Sequence, residues 1–174
     1  MSVRKIVVIG PESTGKSTLS AALAEALQTA WVPEYAREYL TNLSRNYTEN
    51  DLLEIARGQI SSEDLLSKKA DRFLICDTNL YVHKVWSEHS FHNCHRWMLE
   101  QLATRRYDLY LLTNIDMAWT YDPLREHGSD YWRNYFYLQY KDIVINSGVP
   151  WTTVSGTPND RLDAAIHAIE TLGI

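Results

Sequence analysis

Short apolar runs alternate with longer segments of helical periodicity along the whole chain. Ile6-Val7-Val8-Ile9, Phe73-Leu74-Ile75-Cys76 and Leu109-Tyr110-Leu111-Leu112 are continuous apolar runs of the kind that strands buried on both faces require. With the shorter runs at 30–32 and 151–154 they predict five strands. Helices are expected at 16–27, 34–40, 51–70, 80–88, 95–104, 131–145 and 160–172. In the 51–70 segment Leu52, Leu53, Ala56, Ile60, Leu65 and Leu66 are expected to share one broad buried face. Strand–helix alternation in a chain of 174 residues predicts one α/β domain spanning 1–174, with a mostly parallel sheet covered by helices on both sides. Residues 114–130, rich in polar and turn-forming types, interrupt the periodicity and are expected to form a lid.

Composition narrows the picture only modestly. Hydrophobic residues make up 45% and charged residues 22%, ordinary values for a globular protein. A net charge of −5 without a basic stripe argues against a nucleic-acid-binding surface. No run approaches the ~20 apolar residues that a membrane span needs, and no leader-like segment precedes the first strand, so a cytoplasmic setting is expected. Cys76 and Cys94 lack motif spacing. His89, His92, Cys94 and His95 are dense but match no zinc-binding pattern.

One motif changes the picture decisively. Gly10-Pro11-Glu12-Ser13-Thr14-Gly15-Lys16-Ser17-Thr18 lies between the first strand and the first helix and matches G-x-x-x-x-G-K-[ST]. Successive backbone N–H groups in such a loop wrap a polyphosphate, and the helix N-terminus adds partial positive charge. Lys16 is expected to reach the β- and γ-phosphates of ATP, and the Ser17 hydroxyl to coordinate Mg²⁺. The fold expected from this loop is that of P-loop NTPases, with spatial strand order 2-3-1-4-5.

Further candidates follow from position. Asp77 ends the third predicted strand, where a P-loop protein places its second Mg²⁺-linked carboxylate, and Asn79 follows within reach of sugar hydroxyls. Glu34 ends the second strand and is a candidate base for an attacking hydroxyl, or alternatively a helix-start residue. The roles of Glu34 and Asp77 are interchangeable at this stage. Arg37 and Glu38 fit either an ion pair or substrate contacts. In the expected lid, Arg125 is the candidate for stabilising charge during phosphoryl transfer, with Arg133 in reserve, and Trp119 and Asp122 are candidate substrate contacts. Thr157, Pro158 and Arg161 follow the fifth strand. They fit either a nucleotide-side loop or simple helix capping by Thr157 and Asp160. A signalling GTPase would need D-x-x-G and N-K-x-D motifs, where this chain has Asp77-Thr78-Asn79-Leu80 and Thr113-Asn114-Ile115-Asp116.

Taken together, the phosphate loop, Pro33-Glu34-Tyr35-Ala36-Arg37-Glu38, Ala56-Arg57-Gly58-Gln59, Cys76-Asp77-Thr78-Asn79 and Trp119-Thr120-Tyr121-Asp122-Pro123-Leu124-Arg125 resemble the ribosylnicotinamide kinase domain of the NadR type. The resemblance runs in order over almost the whole chain. It implies ATP- and Mg²⁺-dependent phosphorylation of the 5′-hydroxyl of nicotinamide riboside, a small-molecule acceptor contacted from the Glu34, Tyr35, Arg37, Gln59, Asp77, Asn79, Trp119 and Asp122 positions. Longer relatives carry an adenylyltransferase domain and sometimes a helix-turn-helix, neither of which is expected in this sequence. The chain departs from the pattern at Pro33, where some relatives carry an aromatic residue.

Overall fold

The computed structural model describes residues 3–173. Its strands are β1 (Arg4–Ile9), β2 (Ala30–Val32), β3 (Phe73–Asp77), β4 (Leu109–Thr113) and β5 (Trp151–Val154). They form one sheet in the order β2-β3-β1-β4-β5, and all four pairings are parallel. The helices are α1 (Lys16–Ala26), α2 (Tyr35–Thr41), α3 (Glu49–Ser67), α4 (Leu80–Phe91), α5 (Arg96–Thr104), α6 (Asp130–Asn146) and α7 (Pro158–Thr171).

Alternation within β1 divides the core. Ile6 and Val8 face α1 and α7, packing with Leu19, Leu23, Ala165 and Ile169. Val7 and Ile9 face the opposite layer, where Val85 of α4 and Phe136, Tyr140 and Val144 of α6 cover them. With β1 central and β3 and β4 on either side, the chain leaves β1 and β3 at one sheet edge, where open parallel sheets bind ligands. Val8 pairs with Asp77, so the phosphate loop and the Asp77 carboxylate emerge side by side.

Helix starts owe much to local chemistry. Thr48 and Asp51 form a capping box on α3, and Thr157 and Asp160 form another on α7 with Pro158 in its first turn. Asp51 also receives Arg45 at 2.6 Å and the Tyr39 hydroxyl at 2.7 Å, and these donors hold its carboxyl far below the usual range.

One expected face of α3 needs correction. Leu52, Leu53, Ala56 and Ile60 are buried, but Leu65 is 55% exposed. Thirteen residues separate Leu52 from Leu65, a rotation of roughly 220° at 3.6 residues per turn, so the two leave the helix on opposite sides. The buried stripe continues instead through polar Gln59 and Glu63. Glu63 accepts Lys5 at 2.7 Å and both Arg105 and Tyr107 at 3.1 Å, which satisfies its buried carboxylate.

Candidate active site

The loop after β1 holds its shape through close packing. A Cβ on Gly10 would lie 2.1 Å from the Thr113 hydroxyl, and Gly15 caps α1 at φ 76°, a left-handed conformation suited to glycine. Thr14 is buried, donates to the Pro11 carbonyl at 2.8 Å and meets the Thr113 hydroxyl at 2.7 Å. Its side chain braces the loop and leaves only its backbone for a ligand. The Lys16 ammonium donates to the Pro11 carbonyl at 2.7 Å, folded onto the loop it is expected to leave when phosphate enters.

Asp77 is 1% exposed, and neither carboxylate oxygen has a hydrogen-bond partner among the described residues. Burial raises its pKa to about 6, against the downward pull of the Ser17 hydroxyl, close by without hydrogen-bond geometry, and of the Lys16 ammonium. A buried carboxylate without partners beside a serine hydroxyl is a donor set that fits Mg²⁺, which takes one or two protein oxygens and fills its remaining positions with water and phosphate.

Opposite the loop lies a cleft of about 210 Å³, lined by residues 10–18 and by Glu34, Arg37, Trp86, Arg125, Phe136 and Tyr140 among others. Glu34 caps α2 in extended conformation and has no ion pair among the described residues. Its charge and that of Glu12 both reach Tyr140, whose phenol is pushed upward mainly by burial and then by these two carboxylates.

Residues 114–129 cross over the loop without regular structure. The Thr120 N–H donates to Ser13 Oγ at 2.9 Å, and the N–H groups of Glu126 and His127 each donate to the Glu12 carboxylate at 3.1 Å. Arg125 donates to the Thr120 carbonyl and lies 3.4 Å from Ser13 Oγ. Arg37 of α2 pairs with Asp122 at 2.9 Å, tying the segment to the far wall of the cleft.

Several sequence candidates stand elsewhere and do other work. Arg161 is 2% exposed and donates to the carbonyls of Thr14 at 2.9 Å and Gly156 at 3.0 Å, and to Asp116, so it props the phosphate loop from beneath. Thr157 and Pro158 start α7 and do not line the cleft. Asn79 is fully buried, caps α4 through Tyr81 and donates to the Tyr110 hydroxyl at 3.2 Å. Gln59 is buried and accepts the Tyr35 N–H at 2.8 Å, which supplies the N-terminal bond that Glu34 does not make for α2. The Tyr35 ring lies against Gly58, where a Cβ would come within 2.1 Å of it. The two family-like segments are thus a structural interlock. The Trp119 ring packs on Gly128, and Asp122 is taken up by Arg37 and the Leu124 N–H at 2.9 Å. Arg133 is buried and donates to the Met117 carbonyl at 2.6 Å, anchoring the base of the crossing segment.

The Cys/His patch divides among local roles. His95 caps α5 by accepting the Trp97 N–H, His92 ends α4 at φ 54°, and His89 joins a ring cluster with His127, Trp132 and Phe136. The cleft residues that sequence reading missed, chiefly Leu40, Val82, Leu124, Phe136 and Tyr140, have apolar or aromatic side chains. The helical spacing of Leu40, Val82, Phe136 and Tyr140 marks them as core, and only the tertiary fold separates core from cleft wall.

Residues 5–161 match the family model described as an AAA domain. The chain belongs to that family. It is also similar to the trifunctional NAD biosynthesis/regulator protein NadR of Escherichia coli (strain K12), with 29% identity over 158 residues. That match covers 87% of this chain and 38% of the relative, so the chain spans about two fifths of the curated protein's length. Two solved NadR structures share the fold over 99% of this chain and 50% of theirs. One, in complex with NR, gives a TM-score of 0.73 at 22% identity, and the other, in complex with NAD and AMP-PNP, gives 0.78 at 20%.

Proposed function

We propose that this chain transfers the γ-phosphoryl group of ATP to the 5′-hydroxyl of nicotinamide riboside, giving nicotinamide mononucleotide. The observation that carries this reading is the compartment facing the phosphate loop, where Val82, Trp86 and Phe136 form an apolar, aromatic wall beside the unpaired carboxylate of Glu34. A permanently cationic ring is favoured by aromatic faces and nearby carboxylates. A nucleotide acceptor would instead require arginines for its phosphate, and those at hand are engaged, Arg37 on Asp122 and Arg125 on Thr120 and Ser13. The relative crystallised with NR supports the same acceptor, and the one crystallised with AMP-PNP supports the same donor.

In this reading Lys16 leaves the Pro11 carbonyl for the β- and γ-phosphates, and Ser17 with Asp77 holds Mg²⁺. Bound there, the ion neutralises charge on the transferring phosphoryl group. Glu34 orients the acceptor hydroxyl and takes its proton. Little basicity is needed, because the transition state is loose. Residues 114–129 act as the lid, excluding water from the reacting centre and setting Arg125 near the developing charge. The described chain works as one kinase domain in the cytoplasm. No helix among the described residues is long and apolar enough to cross a membrane.

The test is an acceptor panel with ATP and Mg²⁺: nicotinamide riboside, uridine, thymidine, adenosine and thymidine monophosphate, read by ADP release and product mass. Nicotinamide riboside should give the highest kcat/KM by tenfold or more on the order expected for a desolvated cation–π contact of about 2 kcal/mol. Equal or better kcat/KM with uridine or thymidine would leave a kinase and remove NAD salvage. Absence of turnover with every acceptor would leave a nucleotide-sensing domain.

A further inference from the structure

Glu12 occupies a variable position of the phosphate loop, where the motif asks nothing of the side chain. Its carboxylate nonetheless reaches across to the crossing segment and accepts two consecutive backbone N–H groups, those of Glu126 and His127, each at 3.1 Å. The connection continues. The Glu126 carboxylate accepts the Tyr47 hydroxyl at 3.0 Å, and the Trp86 indole N–H donates to that same hydroxyl at 3.0 Å. Trp86 is a wall of the acceptor compartment, and Arg125 precedes Glu126 directly. One hydrogen-bonded line therefore runs from the loop that takes the nucleotide, through the backbone beside Arg125, to the ring that faces the acceptor.

We propose that Glu12 is a positioning residue that latches residues 125–127 onto the phosphate loop, and that Glu126 and Tyr47 extend the latch to Trp86, so that the guanidinium of Arg125 and the acceptor wall are set together. The placement of Arg125 and the coupling to Trp86 rest on the kinase reading given above. The latch itself does not. An ionised acceptor on two backbone donors is stronger than a neutral contact. Its loss frees two amides at a segment that has no helix or strand of its own to hold it.

Amide hydrogen exchange of the full chain without ligands, compared between wild type, Glu12→Ala and Glu12→Gln, tests the latch directly. Exchange in 120–128 should quicken about tenfold to a hundredfold in Glu12→Ala, the range expected for a lost hydrogen bond to a charged group. Glu12→Gln, which keeps a carbonyl oxygen at the same reach, should restore part of the protection, and α7 should exchange as in wild type. Unchanged exchange at 120–128, or quickening spread evenly over the whole chain, would overturn the latch. Steady-state kinetics with nicotinamide riboside then test the coupling. Glu12→Ala and Tyr47→Phe should each raise the ratio of ATP hydrolysis to phosphoryl transfer, and the double variant should be less affected than the product of the two. Multiplicative effects would overturn the coupling while leaving the latch. A wild-type protein inactive on nicotinamide riboside would fail the kinase reading, and the exchange result would stand independently.

Discussion

In the proposed kinase the nucleotide side and the acceptor side of the cleft are built in opposite ways. Nine consecutive residues, Gly10–Thr18, form most of the first, on a single loop. The second is assembled from α2, α4, α6 and the crossing segment, each contributing one to a few side chains. Backbone recognition tolerates little variation in spacing and therefore leaves a contiguous signature. Side-chain recognition across packed helices leaves no such trace, and specificity can drift there without disturbing phosphate binding.

If the nucleotide side carries the bulk of catalysis, Lys16→Ala should produce the largest loss in the molecule. A fall in kcat of about 10²–10³ is expected, the range seen when one preorganised donor to transition-state charge is removed. Thermal unfolding should change little, since the Lys16 ammonium makes its hydrogen bond within its own loop, to the Pro11 carbonyl. Retained turnover in a folded Lys16→Ala protein would break the comparison outright.

The two sides should respond to acid in opposite senses, since burial raises the pKa of Asp77 beside the loop and lowers that of His83 in α4. His83 of α4 is 1% exposed, and neither ring nitrogen has a partner among the described residues. Burial lowers its pKa from 6.5 to about 4. A depressed histidine pKa means that the unfolded chain binds the proton more readily, so stability is full above about 6.5 and is lost as pH falls toward 4. The loss is about 3 kcal/mol, from 1.36 kcal/mol per pH unit. Urea unfolding across that window should show wild type losing about 3 kcal/mol more than His83→Leu, because the opposite slope from Asp77 is common to both proteins. Equal pH dependence in the two proteins would assign the lability to another group.

The smallest of these effects sharpens the division between the two carboxylates. Glu34→Gln should lower kcat with nicotinamide riboside about tenfold to a hundredfold, at the low end for general base catalysis because positioning survives. The KM for ATP should stay near wild type. An equal rise in the KM for ATP would move Glu34 to the nucleotide side.

The sequence made the sheet legible almost to the residue, because a fully buried parallel strand must be an unbroken apolar run and a P-loop identifies the strand that carries it. Helix bounds shifted by a residue or a few at most ends, as capping boxes at Thr48 and Thr157 begin helices earlier than apolar periodicity does. The cleft was legible where its lining is contiguous, at Gly10–Thr18. Elsewhere candidate side chains are engaged within the protein: the Tyr35 ring lies where a Cβ on Gly58 would sit, and Gln59 accepts the Tyr35 N–H. Asn79, Trp119, Asp122 and Arg161 were likewise polar or aromatic residues at plausible positions whose partners turned out to be the protein itself.

The buried guanidinium of Arg161 also sets a timetable for synthesis. The carbonyl of Thr14 waits 147 positions for its donor. While the chain is being made, the phosphate loop emerges well before Arg161, with its glycines and lysine in place but without that donor. Arg161 lies in α7, so the loop acquires this support only once α7 has been made. If the loop grips a triphosphate as proposed, a nascent chain stalled between the loop and residue 161 will have the motif without the grip.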